Sequence, residues 1–444
     1  MSEQYDLVLR CGSFLSMEQG PGEEIKSDIF VGIKDGKIAK IQEWSIAEKN
    51  SLEWSSKDFI LANDKLVMPG LINGHCHLPM TLFRGLADDL PFEQWLRNYI
   101  FPLEAKLVSP EFVKLGTEIA VLESLLSGTT TILDMYYFET DIANVCEQSG
   151  IRALLGETFI DFPAPDNKKS SGEDWKIMDA MRERFQNHDL IQPILAPHAP
   201  YTVSDETFKK VRNYAEKHQL KITVHVSETK DEVKNSLKQY QKTPLHRLYD
   251  LGVLESHTIM AHCVHLTDSE IEMTSQKRAG IVHNPESNMK LGSGAAPLKK
   301  LVEAGISLGL GTDGPASNND LNLFKEMDFA AKLQKFVHED NTAMTSMMAL
   351  RMATREGAKA LGMGDSIGTL TEGKRADLIC LDLNEPWIQP LHSISSALVY
   401  SSTGREVCDV IVNGNVLVRD RKPSRQNKSE IFSRLQEYRK KNSL

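Results

Sequence analysis

The sequence predicts an α/β protein: a (β/α)8 TIM-like barrel with a small sheet domain at its flank built from both ends of the chain. Three observations lead there. Eight apolar, β-rich runs alternate with helical patterns through the middle of the 444 residues. Both ends are instead made of short strands and tight turns. Polar residues suited to chemistry fall at or just after the ends of several of the middle strands, where a parallel barrel builds its site.

The β-rich runs of the middle are 66–72, 129–133, 152–155, 191–196, 221–226, 258–261, 280–282 and 306–310. Helical periodicity fills most gaps, at 110–126, 142–149, 173–187, 205–218, 244–251, 268–277 and 298–304. Eight strands separated by helices match a closed parallel barrel, although a doubly wound sheet would show the same alternation. The segment 162–172 is the most loop-like stretch between them. At the N-terminal end, 6–10 and 29–33 are β-rich, Asp35-Gly36 is a hairpin turn and 37–41 resumes the strand. At the C-terminal end, 376–381 and 407–412 are strand-like, Asn413-Gly414 turns the chain into 415–418, and 429–441 reads as an amphipathic helix. The expected division is a discontinuous domain of 1–65 and 367–444 around a barrel of 66–366.

Composition narrows the function classes. Hydrophobic residues at 41% and charged residues at 25% are the balance of a soluble globular chain. The net charge of −10 lacks the basic stripe a nucleic-acid surface needs. The basic residues at 419–425 read as a solvated tail. Apolar runs such as 119–122 and 306–310 fall far short of the ~20 residues of a membrane span. Residues 1–10 carry no secretory signal. The six cysteines lack CxxC spacing and fit reduced thiols, so a cytoplasmic enzyme is expected.

The first barrel run leads directly into Asn73-Gly74-His75-Cys76-His77. Side chains two apart on a strand share a side, so His75 and His77 can grip one ion while Cys76 faces away. His225 ends the fifth run and Glu228 follows; His262 follows the sixth; Gly311-Thr312-Asp313 follows the eighth. Neutral imidazoles and one carboxylate suit Zn²⁺ or another divalent first-row cation. A single His-x-His also occurs in satisfied cores, whereas four such strand ends in barrel order are hard to explain by packing. The remaining histidines apart from His198, His283 among them, are read as structural, most of them as helix or loop residues.

The stretch Pro69-Gly70-Leu71-Ile72-Asn73-Gly74-His75-Cys76-His77 resembles the opening metal motif of the amidohydrolase superfamily. The similarity continues through Phe83-Arg84-Gly85-Leu86-Ala87-Asp88-Asp89, Pro197-His198-Ala199-Pro200-Tyr201, His283-Asn284-Pro285-Glu286-Ser287-Asn288 and Gly311-Thr312-Asp313-Gly314-Pro315-Ala316-Ser317-Asn318-Asn319. Together these resemble the 5-methylthioadenosine/S-adenosylhomocysteine deaminases over nearly the whole chain. The resemblance implies a barrel with a flanking β-sandwich domain and one divalent metal ion per subunit, zinc by preference. His75, His77, His225 and Asp313 would be its ligands. It is one ion because the fourth strand ends in Pro197-His198, where two-metal members carry a carboxylated lysine.

The resemblance further implies a small purine nucleoside as substrate and is compatible with a homo-oligomer. Glu104 would bind the ribose hydroxyls, His198 the sugar or tail, Glu228 the purine edge, and Trp95 would pack near the substrate. Hydroxide generated at the cation would attack C6 while Asp313 accepts the water's proton, Glu228 protonates N1 and His262 polarises the attacking oxygen. Two other readings stay open: an amidohydrolase directed at guanine, pterin or s-triazine, and a non-catalytic scaffold. One departure bears on the substrate. The arginines that some of these deaminases place after the third strand are absent, and the stretch instead holds Glu157 and Asp161, with only Lys168 and Lys169 beyond. Methylthioadenosine, adenosine and 5′-deoxyadenosine are therefore expected to rank at least beside S-adenosylhomocysteine.

Overall fold

The computed structural model describes residues 3–18, 25–49, 54–168 and 172–442. The N-terminal region supplies β1 (Glu3–Phe14), β2 (Lys26–Lys34), β3 (Lys37–Glu43) and β4 (Trp54–Pro69). The turn between β2 and β3 puts Asp35 and Gly36 at φ of 51° and 73°, the left-handed pair that matches the twist of a two-residue hairpin. Eight strands follow: β5 (Leu71–Cys76), β6 (Thr129–Tyr136), β7 (Arg152–Phe159), β8 (Ile191–Pro197), β9 (Ile222–Val226), β10 (Thr258–His262), β11 (Gly280–His283) and β12 (Leu308–Leu310). The chain ends with β13 (Leu378–Asp382), β14 (Val407–Val412), β15 (Asn415–Arg419), β16 (Lys422–Pro423) and a helix, Lys428–Asn442.

Strands β5 to β12 close into a barrel in sequence order, every neighbouring pair parallel. The other eight form one sheet in the order β16-β15-β14-β13-β4-β1-β2-β3. This sheet curls so that the β2–β3 hairpin meets the segment leading into β13: Ala376 N–H donates to Gly36 O and Ile38 N–H to Lys374 O, both at 2.9 Å. Leu9, Val31 and Ile33 from the N-terminal arm share a buried core with Leu378, Cys380 and Ile411 from the C-terminal arm.

The run 66–72 divides between the two units. Residues 66–69 pair with β1 and β13, and Leu71 opens the barrel beside Thr129. Gly70 makes the crossing, because a Cβ there would sit 2.1 Å from the Thr130 hydroxyl. Inside the barrel, Ile72, Leu133, Leu154, Ile194, Ile259 and Val282 pack against Ala358, Leu361 and Ile367. Each such buried aliphatic contributes roughly 1.5–3 kcal/mol, and together they close the barrel away from its mouth.

Local chemistry starts the helices where the sequence places them. Ser109 accepts from Phe112 N–H at the start of Pro110–Leu126, and Thr267 and Glu270 form a reciprocal capping box for Asp268–Lys277. Several short helices fall outside the expected set, as do two longer ones. Lys230–Tyr240 buries only Glu232 and Ser236, so it carries no apolar stripe to read. Leu323–His338 buries Leu323, Phe324, Met327, Ala330 and Ala331 in the last crossover. Among the described residues, no helix is long and apolar enough to cross a membrane.

Candidate active site

All six residues read from strand ends meet at the C-terminal mouth of the barrel. His75 lies one residue before the end of β5 with His77 just beyond it, His225 lies on β9, and Asp313 follows β12. One donor atom from each of the four lies within 4.8 Å of the others. Asp313 Oδ1 stands 3.5 Å from His75 Nε2 and 3.2 Å from His77 Nε2. Cys76 turns the other way, its Sγ 3.3 Å from Leu133 O. The strand carrying Asp313 can run this close because of Gly311, whose Cβ would lie 2.8 Å from the His75 backbone; Asp313 N–H then donates to His75 O at 2.9 Å. Asp313, His262 and Ser227 hold φ of 62°, 69° and 51°. Such left-handed backbone costs a non-glycine residue on the order of 1–3 kcal/mol and gathers at functional sites.

The hydrogen bonds aim the imidazoles. His77 Nδ1 bonds Met135 O and His225 Nδ1 bonds His198 O, both at 2.7 Å. Each ring therefore carries a proton on Nδ1 and turns Nε2 inward, the usual outer-shell support of a metal ligand. The His75 nitrogens are buried without a protein partner. Burial depresses His75 to about 4 and His225 well below its ordinary value, so both are neutral at pH 7. Burial also works against a charge on His77, but Asp313 lifts it to about 9. Asp313 is held far below the usual carboxylate range by His75 and His77 despite its burial. Its second oxygen accepts from Ser287 and Ser317 hydroxyls at 2.7 and 2.8 Å. Three inward Nε2 atoms, one of them without a hydrogen-bond partner, and a fixed carboxylate fit a divalent cation, which would take the place of the His77 proton.

Two proton-bearing groups stand beside this set. Glu228 Oε2 is 4.0 Å from His262 Nε2. Burial, then the Asp313 charge, push the Glu228 carboxyl up to about 8. Its backbone is pinned by Glu232, whose carboxylate accepts from Ser227 N–H at 3.0 Å and Glu228 N–H at 2.7 Å. His262, lowered to about 4 by burial, is a neutral imidazole.

The same pocket is lined by Trp95, Glu104 and His198, together with Phe101, Tyr136 and Tyr201. Trp95 opens a π-helical turn, Trp95–Ile100, in which Phe101 N–H reaches back five residues to Leu96 O. Such widened turns recur at functional sites, and this one feeds directly into the helix bearing Glu104. Glu104 Oε1 accepts from the Tyr136 hydroxyl at 2.8 Å, and burial raises its pKa to about 7. Thr202 Oγ1, which donates to Ala199 O, sits 2.8 Å from His198 Nδ1. That pattern places the His198 proton on Nδ1 and leaves Nε2 as an acceptor.

Glu157 and Asp161, which would oppose a carboxylate tail if they faced the pocket, do not line it. Glu157 accepts from Glu139 N–H, and Asp161 accepts from Ser204 N–H and the Thr207 hydroxyl at the start of Asp205–His218. Lys169, with residues 170 and 171, lies outside the described residues. Among the structural histidines, His283 departs from the helix-or-loop pattern: it ends β11, fully buried, and burial lowers it to about 3. Ser287, Asn288, Ser293, Ser317, Tyr136 and Glu232 support the site without having been singled out. Ser287, Asn288 and Ser317 lie inside motifs visible in the sequence, which mark the stretch but not what it touches; Tyr136 ends β6 beyond the run 129–133 read from the sequence.

Comparison with known proteins decides the lineage. Residues 66–417 match the amidohydrolase family. The chain belongs to that family. It is 40% identical to a 5-methylthioadenosine/S-adenosylhomocysteine deaminase of Syntrophobacter fumaroxidans over 98% of both chains. It is 41% identical to a 5′-deoxyadenosine deaminase of Methanocaldococcus jannaschii, covering 91% of this chain and 94% of that one. The crystal structure of an adenosine deaminase from Xanthomonas campestris with bound zinc superposes on this amidohydrolase with a TM-score of 0.95, 38% identity and 99% coverage of both chains.

Proposed function

We propose that this amidohydrolase removes the 6-amino group of adenosine-type nucleosides, releasing ammonia and an inosine-type nucleoside. The observation that carries this is a single pocket in which the protonated Glu228 and neutral His262 face a four-donor cation set, with Glu104 and His198 further along the same walls. A divalent cation, zinc by donor preference and by likeness to the zinc-bearing relative, supplies when bound a water ionised near neutral pH.

The chain's own groups do the rest. Asp313 takes one proton from that water and returns it to the departing amine. Glu228 gives its proton to N1 as the C6–O bond forms, and recovers one from the new hydroxyl as the C6–N bond breaks. His262 holds the oxygen. His198 Nε2 and Glu104 accept from the ribose hydroxyls, and Trp95 packs at the edge. Guanine, pterin and triazine readings lack a use for Glu104 and His198, and a scaffold has no need of a buried carboxyl shifted to about 8.

Substrate choice follows the walls. Among the described lining residues none is Lys or Arg, while Phe92, Leu96, Ile100 and Phe101 are apolar. Neutral 5′ groups such as methylthio, hydroxyl or hydrogen suit them better than a homocysteine carboxylate. The six buried free cysteines fit work in the cytoplasm. The test is ammonia release from adenosine, 5′-deoxyadenosine, methylthioadenosine, S-adenosylhomocysteine, guanine and pterin by metal-loaded protein. Turnover of guanine or pterin in preference to all four nucleosides would overturn the proposal.

A further inference from the structure

The segment after β11 touches each reactive side chain once. Ser287 donates to Asp313 Oδ2 at 2.7 Å, Asn288 Nδ2 donates to His262 Nδ1 at 2.9 Å, and Ser293 Oγ donates to Glu228 Oε1 at 3.3 Å. The segment itself is braced: Asn288 N–H donates to Asn284 O at 3.0 Å, Ser293 N–H to Asn288 O at 2.9 Å, and Ser293 O bonds His265 Nε2 at 2.7 Å. Asn288 and Ser287 are fully buried. One short stretch thus orients the base, the acid and the imidazole between them.

The bond to His262 has a specific consequence. An amide NH₂ offers only protons, so it selects the imidazole tautomer with a lone pair on Nδ1 and the proton on Nε2. We propose that Asn288 is a positioning residue that fixes this tautomer, presenting Nε2–H to the attacking oxygen and keeping His262 from serving as a fourth imidazole ligand. The second effect matters because the His262 ring centre lies only 5.5 Å from that of His75 and 5.4 Å from that of His225. With the opposite tautomer an Nε2 lone pair would face the cation set and compete for the position that a catalytic site must keep open. The inference rests on the deaminase reading for its effect on turnover, but not for the tautomer itself.

Two variants separate orientation from packing. Asn288→Asp preserves shape and reverses polarity, since a carboxylate accepts from Nδ1–H and frees the Nε2 lone pair; Asn288→Ala removes the group. Nitrogen-15 NMR of histidine-labelled protein, with the His262 signal identified by its loss in His262→Gln, reads the tautomer directly. In the wild type Nε2 is expected to carry the proton, and Asn288→Asp to move it to Nδ1. The kcat of Asn288→Asp is expected to fall about 100-fold or more, the scale of a lost proton-handling group, and at least tenfold below Asn288→Ala. KM should change little, and zinc affinity by chelator competition should match or exceed the wild type's. A wild-type His262 protonated on Nδ1, an alanine variant as slow as the aspartate variant, or zinc affinity lost in both would each overturn the inference. If the wild type deaminates no nucleoside, the functional reading fails while the NMR result still decides this one.

Discussion

Replacing Glu228 by Gln changes one property of the site and little else. The amide keeps the length and shape of the side chain, can still accept from Ser293 Oγ, and leaves the Glu232 clamp on the backbone intact. What disappears is the transferable proton. With the Glu228 pKa near 8, about nine tenths of the wild-type protein carries that proton at pH 7. General acid catalysis of this kind contributes about 10²–10⁴ in rate, or roughly 2.7–5.4 kcal/mol at 1.36 kcal/mol per decade. The variant should therefore lose 10²–10⁴ in kcat at unchanged metal content, measured by steady-state conversion of adenosine to inosine and by metal analysis. The wild-type kcat/KM should fall as pH rises through about 8, and the residual activity of the variant should lack that limb. Wild-type stability also falls with rising pH, and the variant's does not. A carboxyl whose folded pKa exceeds its unfolded value of about 4.3 loses stability as pH rises between those values, whereas Gln cannot ionise. The melting temperature of the variant should gain on the wild type's toward pH 8. Near-normal turnover by Glu228→Gln, with metal bound, would refute the acid role.

His225→Ala removes one of the three inward imidazole nitrogens, and is expected to lower metal affinity at least tenfold and abolish turnover, checked by chelator competition and ammonia release. Compared on one metal-loaded sample, kcat/KM for methylthioadenosine and 5′-deoxyadenosine should exceed that for S-adenosylhomocysteine by roughly tenfold, about 1.4 kcal/mol of lost carboxylate solvation; a preference for the carboxylate-bearing nucleoside would contradict the lining. Arg152, buried at the start of β7, holds Asp377 with two bonds of 2.6 and 3.0 Å. Asp377→Ala leaves that guanidinium with only the Asp189 carbonyl as partner and should cost about 3–5 kcal/mol in urea unfolding, while Arg152→Met combined with Asp377→Leu should cost much less.

How legible this was varied with the physics. His75, His77, His225, His262 and Asp313 could be read because the end of a barrel strand is a defined address, and a polar residue there interrupts an apolar run. Glu104 and Trp95 could be placed only through resemblance, because they reach the pocket from helical segments whose approach no periodicity reports; His198 follows β8 directly, but its role too came only from the resemblance. The split of 66–72 at Gly70 was hidden, since strands of two different sheets look alike when only one residue separates them. Asn288 and Glu232 were invisible as supports because their effect lies in which atom of a partner they touch. Glu157 and Asp161 show the converse: charge near a site by sequence says nothing until the side chains are seen to turn toward amides elsewhere.

The flanking sheet draws strands from both extremities, and Lys65 reaches Asp409 across 344 positions. A ribosome delivers β1 to β4 long before β13 exists, so one edge of β4 must wait, unpaired, while the catalytic unit is synthesised beside it. Contacts of such long range slow folding and leave a sticky edge exposed meanwhile. Maturation of this enzyme is thus a task for the finished polypeptide, and production lost to aggregation should concentrate in C-terminally shortened chains.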